Sequence, residues 1–532
     1  MHIEIHRDSG RPLPLQISDT LSQRISSGLL QPGERLPSVR KMAEMLDVCQ
    51  VTVSKAYADL ERRGWLIRRH GLGCFAAAPG GGTGHKPLGD GQAAADRSGA
   101  GKRRADEKSS SGHAGHPLSR SASGRTEPEW QKEYEDYLPR AQLWRNFNFS
   151  EAEYSFHLAA IDSGMLPLKE IGAAMTSLVA KRPELMSAYG NFQGDPSLRE
   201  AVRKHLRTRG IALPPEGLLI TSGTQQGIDL VARTFVGPGD TVYLEAPSYT
   251  GAIDVFAGRG AEMIGVPVDK HGMRVDILTK MCDRRPPKLI YTVPTFQNPS
   301  GVTMSLERRQ RLLELARSYS CLIVEDDPFS DLYFESPPPP PIKSLDAEGH
   351  VVYMKSFSKV LAPGSRVAGV AAEGDILERL TAAKAASDLG SPLLIQLAVL
   401  PFITDRYEAY MKGLRSALKS RMARAEAMLK RHAPKGVRWN TPEGGLNFWL
   451  ELPDSIDTGE LYDRAIRQGI SFLPGNVCYS GEPSARYIRI CYAQMEETKM
   501  ERGLLQLLEL LGEAAGGGAA PGAKSNRPAR QG

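Results

Sequence analysis

The sequence predicts two folds in one chain: a small, mainly α-helical N-terminal domain and a large α/β domain built on a mostly parallel sheet. Three observations predict it. Residues 1–76 repeat apolar positions at helical spacing. From about 141 to 513, short continuous apolar runs alternate with helical patterns. Between them, residues 77–140 carry almost no large apolar side chains, and 514–532 has the composition of a disordered tail.

With 532 residues the chain is too long for one ordinary domain. Hydrophobic residues at 41% and charged residues at 24% are those of a soluble globular protein with ample core. The 67 basic residues against 61 acidic leave a net charge of +6. That excess is too thinly spread to indicate a nucleic-acid partner, because a basic footprint must be local to count. Six scattered cysteines without a CxxC pair, and without His at metal-ligand spacing, predict reduced structural thiols and no metal site. The polar start MHIEIHRDSGR lacks a signal-peptide core, and the apolar run Leu393 to Ile403 is interrupted by Gln396 and Pro401. The reading is therefore a cytoplasmic protein with no membrane segment.

In the N-terminal region, Ile17, Leu21 and Ile25 fall on one helix face. QPGERLPSVRKMAEML follows, with Pro37-Ser38 capping a second helix, a turn at Asp47-Val48, and then CQVTVSKAYADLERRGWL as a third. This third helix exposes Gln50, Thr52, Ser54 and Lys55. Two short strands around His70-Gly71, in WLIRRHGLGCF, suit a wing. Residues 77–140, rich in Gly, Ser and charge, cannot bury enough surface to offset their ordering entropy and read as a flexible linker.

In the large region, Lys288–Val293, Cys321–Val324 and Val351–Met354 are apolar strands, with helices such as Leu306–Ser318 between them. Continuous apolar strands alternating with helices imply a parallel sheet covered on both faces, with ligands outside the strand ends. Chemistry-bearing residues follow those strands. Ser222-Gly223-Thr224-Gln225 precedes a helix, where small residues let backbone N–H groups approach a phosphate. Val324-Glu-Asp-Asp ends a buried strand in three carboxylates, which demand a cationic partner. SFSKVLAPGSR sets Lys359 directly after Ser356 and Ser358, with Arg366 just beyond. That is one amine able to form an imine, with donors and a guanidinium for a phosphate.

The first 76 residues resemble the winged helix-turn-helix domain of the GntR family, through PGERLPSVRKMAE, TVSKAYADLERRGW and HGLGCF. The resemblance implies that Arg40, Gln50, Thr52 and Lys55 meet the major groove and phosphates of double-stranded DNA, with His70 and Gly71 in the minor groove. The family commonly has Arg where this chain has Gln50. Gln favours adenine and Arg guanine, so a different operator is expected.

The remainder resembles fold-type I aminotransferases, whose cofactor is pyridoxal 5'-phosphate (PLP). The resemblance implies an internal aldimine at Lys359 and Asp326 against the pyridine nitrogen. It also implies Tyr249 stacked on the ring and Asn298, from PTFQNPSG, on the phenolic oxygen. Gly223, Thr224, Gln225, Ser356, Ser358 and Arg366 would surround the phosphate. Tyr189 would be lent to a neighbouring subunit, and Arg489 would grip a substrate or effector carboxylate. Phe329 stands where the family often has a tyrosine, removing a contact worth about 1 kcal/mol. The two halves in this order resemble the MocR/GabR-type regulators. A homodimeric, PLP-dependent transcription regulator sensing PLP or an amino-acid-like effector is thus implied, and a working aminotransferase carrying a winged helix remains the alternative.

Overall fold

A computed structural model describes Ile3, Ile5 and residues 13–69, 73–77, 152–481 and 486–516. The chain divides into two compact units, Met1–Ser119 and Arg120–Gly532. The expected linker beyond Ala77 and the wing tip with His70 and Gly71 lie outside the described residues, as do 141–151 and 517–532.

The first unit holds helices α1 (Leu13–Ser26), α2 (Val39–Leu46) and α3 (Gln50–Arg62), then the antiparallel strands β1 (Leu66–Arg69) and β2 (Gly73–Ala76). Ser38 caps α2, its hydroxyl accepting from the Lys41 N–H at 3.2 Å, and Asp47 ends it in a left-handed conformation. The turn is thus set by a local cap at one end and by a residue type that tolerates positive φ at the other. Ile17, Leu21 and Ile25 pack with Val53, Ala56, Tyr57 and Leu60 of α3. Three polar contacts fix the crossing: Ser18 donates to Asp59 at 2.5 Å, Arg63 pairs with Asp19 at 2.8 Å, and Tyr57 donates to the Pro37 carbonyl at 2.8 Å.

In the second unit β3 (Tyr154–Ser155) comes first, followed by β4 (Leu218–Thr221), β5 (Thr241–Ala246), β6 (Glu262–Asp269) and β7 (Gly272–Met273). Next come β8 (Leu289–Thr292), β9 (Leu322–Asp327), β10 (Val351–Ser356) and β11 (Ala368–Ala371). The main sheet has the order β4-β11-β10-β9-β8-β5-β6-β7. Only β11 and β7 run against the other strands. The three runs read from sequence are its adjacent central strands β8, β9 and β10, buried along nearly their whole length. Such strands need covering on both faces, which flanking helices including Thr224–Phe235 and Leu306–Tyr319 provide.

A smaller antiparallel sheet is formed by β12 (Asn447–Glu451), β15 (Tyr487–Cys491) and β14 (Leu473–Pro474), while β13 (Ile470–Ser471) pairs with β3. It shares a core with the helices Tyr407–His432 and Glu497–Gly516. The Leu393–Ile403 run is the helix Leu393–Asp405, with Pro401 inside it and Gln396 buried, accepting from the Asp195 N–H at 2.8 Å. The last helix continues through Gly516, three residues past 513, because Ala514 and Ala515 pack on the core and suit a helix. Among the described residues, no helix is long and apolar enough to cross a membrane.

Replacing Tyr57 by Phe removes the bond to Pro37 but keeps the packing. A loss of about 1 kcal/mol is expected, read as faster amide exchange across α2 and α3 with no change in the second unit.

Candidate cofactor site

Five strands end at one edge of the main sheet, and the residues following them line a single cavity. Thr224 and Gln225 follow β4, and Tyr249 follows β5. Asn298 follows β8, Asp326 lies one residue before the end of β9, Ser356 ends β10, and Ser358 and Lys359 follow it. Arg366, Arg489, Phe329 and His157 complete much of the wall. A parallel sheet concentrates ligand-binding loops at the carboxyl ends of its strands, so one topology collects motifs that lie between Thr224 and Lys359 in the sequence.

At the base, Asp326 is buried, and its Oδ2 accepts from the Tyr291 hydroxyl at 2.8 Å. Its Oδ1 is also buried and has no hydrogen-bond partner. Burial, with the neighbouring Asp327 charge adding to it, pushes the Asp326 carboxyl up to about 7. Across the cavity, burial holds Lys359 down at about 8, helped by the cationic Arg489 and Arg366. Tyr249 donates to Gln225 Oε1 at 3.0 Å, and Gln225 in turn donates to the Gly251 carbonyl at 3.0 Å. This fixes the ring position, while burial raises the phenol to about 12 and keeps it neutral.

The β4 turn is shaped by Gly223 at φ +82°, where a Cβ would collide with the Arg366 guanidinium. Arg366, itself left-handed at φ +48°, donates to the Ser222 carbonyl at 3.1 Å. The Ser358 hydroxyl beside it is buried without a partner. On the far wall Asn298 Oδ1 accepts from Arg489 Nη1 at 2.8 Å, and Arg489 also donates to the His157 carbonyl. Arg489 Nε is unpartnered, and burial lowers the guanidinium pKa.

The orphaned atoms are complementary to one molecule. Asp326 Oδ1 awaits a ring N–H, Ser358 and the Gly223–Arg366 cradle await an anion, and the Lys359 amine awaits a carbonyl. These residues fit PLP.

Of the sequence-named residues, only Tyr189 stands apart from this cavity among the second unit's set: it is 84% exposed. Sequence reasoning missed Tyr291, whose hydroxyl on an otherwise aliphatic strand required a polar partner. Another surprise is the Asn298–Arg489 bond, since each had been aimed at a ligand instead. Of the three strand-end carboxylates, only Asp326 faces the cavity. Glu325 lies 3.8 Å from Arg309 and Asp327 lies 3.5 Å from Lys355, supplying the cationic partners that their burial requires.

On α3, Gln50 and Lys55 are exposed, and Val51 beside them is 54% exposed. Arg40 is exposed on α2, 3.2 Å from Glu44. Thr52 is half-buried, with its hydroxyl 2.9 Å from Cys49 Sγ. The sequence reading also passed over Arg35, whose guanidinium lies against Gly73 at the base of the wing.

Residues 148–507 match the family described as aminotransferase class I and II, and residues 13–76 match bacterial regulatory proteins of the gntR family. The chain is 35% identical over 356 residues to aromatic-amino-acid aminotransferase 1 of Thermococcus litoralis, covering 65% of this chain and 85% of that protein. In structure it resembles LysN, an α-aminoadipate aminotransferase of Thermus thermophilus complexed with N-(5'-phosphopyridoxyl)-L-leucine. The TM-score is 0.69 at 30% identity, covering 73% of this chain and all of that one. Fold and site thus define a PLP-dependent domain of fold type I, and the chain belongs to the aminotransferase class I and II family. Its gntR domain adds the second identification, the arrangement of MocR-type regulators. Across 93% of this chain and 96% of the relative it is 29% identical to the HTH-type transcriptional regulator TauR of Rhodobacter capsulatus.

Two outcomes test the site. Neutral amine is gained as pH rises through about 8 and lost below it, so about one-tenth of the chains carry it at pH 7. Loading of PLP into the apo chain, followed by visible absorbance, should therefore accelerate about tenfold from pH 7 to pH 9. Gly223→Ala should weaken PLP binding at least about tenfold in equilibrium dialysis while leaving the far-UV spectrum unchanged, by displacing Arg366 and straining the turn.

Proposed function

We propose that this chain is a PLP-dependent, DNA-binding transcription regulator of the MocR type, sensing PLP or an amino-acid-like effector at Lys359. The observation that carries the reading is the union, in one chain, of a gntR-family domain and a cavity retaining both Lys359 and an unpartnered Asp326 Oδ1.

PLP, when bound, supplies a carbonyl for amines and a ring that accepts electrons. The chain's own residues do the rest. Asp326 would hold the ring nitrogen's proton, while Tyr291 keeps its carboxyl group oriented through Oδ2. Tyr249 would pack on the ring. Ser356, Ser358, Arg366 and the backbone of Gly223, Thr224 and Gln225 would hold the phosphate. Arg489, now bonded to Asn298, would receive the effector carboxylate, and Asn298 would serve the ring's phenolic oxygen. Tyr189, being exposed, is available to a neighbouring subunit's site, which favours a homodimer. Arg40, Gln50, Thr52 and Lys55, with His70 and Gly71 of the wing, contact double-stranded DNA. The working division is 1–76 for DNA, 77–140 as tether and 141–513 for the cofactor, in a cytoplasmic protein.

The completeness of the Lys359, Asp326 and Arg489 set equally favours a second reading, a working aminotransferase, and turnover measured against Lys359→Ala discriminates the two. The deciding test is selection of genomic DNA fragments by the purified chain at physiological salt, with and without PLP. A discrete site with PLP-dependent affinity is expected, and Arg40→Ala should abolish specific footprints without altering PLP absorbance. Only salt-sensitive, sequence-blind binding would overturn the regulator reading.

A further inference from the structure

One residue beyond Asp326 begins a second charge cluster, which the cofactor site does not use. Lys355, at 1% exposure, sits near the end of β10, with Nζ 2.9 Å from Asp331 Oδ2, 2.9 Å from Ser330 Oγ and 3.5 Å from Asp327 Oδ2. Ser330 donates its N–H to Asp327 Oδ1 at 2.8 Å, and Tyr353 donates to Asp327 Oδ2. Tyr407 donates to Asp331 Oδ2 at 2.6 Å, and His205 Nε2 lies 3.4 Å from the same oxygen. Glu325 and Arg309 lie 3.8 Å apart beside it, the charge of Arg209 reaches Arg309 and Tyr353, and Arg415 donates to the Asp331 carbonyl at 3.4 Å.

The cluster connects to both halves of the cofactor site. Strands β9 and β10 run parallel with Met354 opposite Asp326 and Lys355 opposite Asp327. Successive residues alternate faces, so Asp326 turns one way and the Asp327–Lys355 pair the other. Phe357, inside the lysine loop, meets the rings of His205 and Tyr407 edge-on, with centroids 5.7 and 6.1 Å away. Two buried carboxylates against one ammonium are costly to hold, and without the ammonium their full charge would act on Asp326.

We infer that Lys355 is a positioning residue for the cofactor-facing carboxyl of Asp326, offsetting part of the charge of Asp327 and Asp331 so that Asp326 and the Lys359 loop keep their charge and place. The inference rests on the PLP reading of the cavity. Loss of Lys355 leaves the surroundings more negative, which favours protonated forms of the pocket groups to higher pH.

The test uses the full-length PLP-loaded chain and titrates its visible absorbance with pH, alongside PLP affinity by dialysis. Lys355→Met should move the absorbance transition up by about one pH unit, and weaken PLP binding. Lys355→Arg should restore the wild-type transition. The charge-balanced pair Lys355→Met with Asp331→Asn should return it toward wild type. If Lys355→Met does not fold, Asp331→Asn alone, which leaves Lys355 and Asp327 balanced, should move the transition down. Equal shifts in Met, Arg and balanced variants would reduce Lys355 to packing and overturn the inference, as would unchanged titrations throughout. A wild-type chain that took up no PLP would instead defeat the cofactor reading itself, and this inference with it.

Discussion

The second unit depends on the burial of one carboxylate that the chain satisfies only by half. Asp326 ends a central strand where solvent does not reach it. Tyr291 meets one oxygen and nothing meets the other. An unmatched buried acceptor destabilises a fold by about 1–3 kcal/mol, more if charged. The rest of the cavity offsets that cost once a ring with an N–H lies against it. The depressed Lys359, the raised Asp326 and the vacant donor of Ser358 are three expressions of the same condition: polar groups withdrawn from water and left open toward one another.

Much of this was legible in the sequence, for definable reasons. Strands β8, β9 and β10 announced themselves because a strand buried on both faces must be apolar throughout. Ser38, Asp47 and the Ile17–Leu21–Ile25 stripe announced the first unit, because capping and amphipathic spacing are local. Motifs around Gly223, Asn298, Asp326 and Lys359 are readable as segments, and the sheet's topology brings them to one edge.

What stayed hidden is pairing between side chains far apart in sequence. Tyr291 with Asp326, Asn298 with Arg489 and Lys355 with Asp331 are each joined only by the fold. Nothing in the sequence around Lys355 states that it is enclosed. Thr52 shows the same limit on a smaller scale: helical spacing put it on an exposed face, but its hydroxyl turns back to Cys49 at the helix start.

The bond between Asn298 and Arg489 has a consequence for discrimination. At rest, Nη1 of the guanidinium proposed to receive a carboxylate is held by a neutral amide, so an anion that engages Nη1 would displace that bond. A charged oxygen wins that exchange, because an anionic acceptor adds a Coulombic attraction to the guanidinium that a neutral amide oxygen lacks. An amine or an uncharged analogue lacks that advantage and leaves the two side chains clasped. On the proposed reading the wall would act as a threshold, favouring molecules that carry the right charge over those that merely fit, with Asn298 released toward the cofactor.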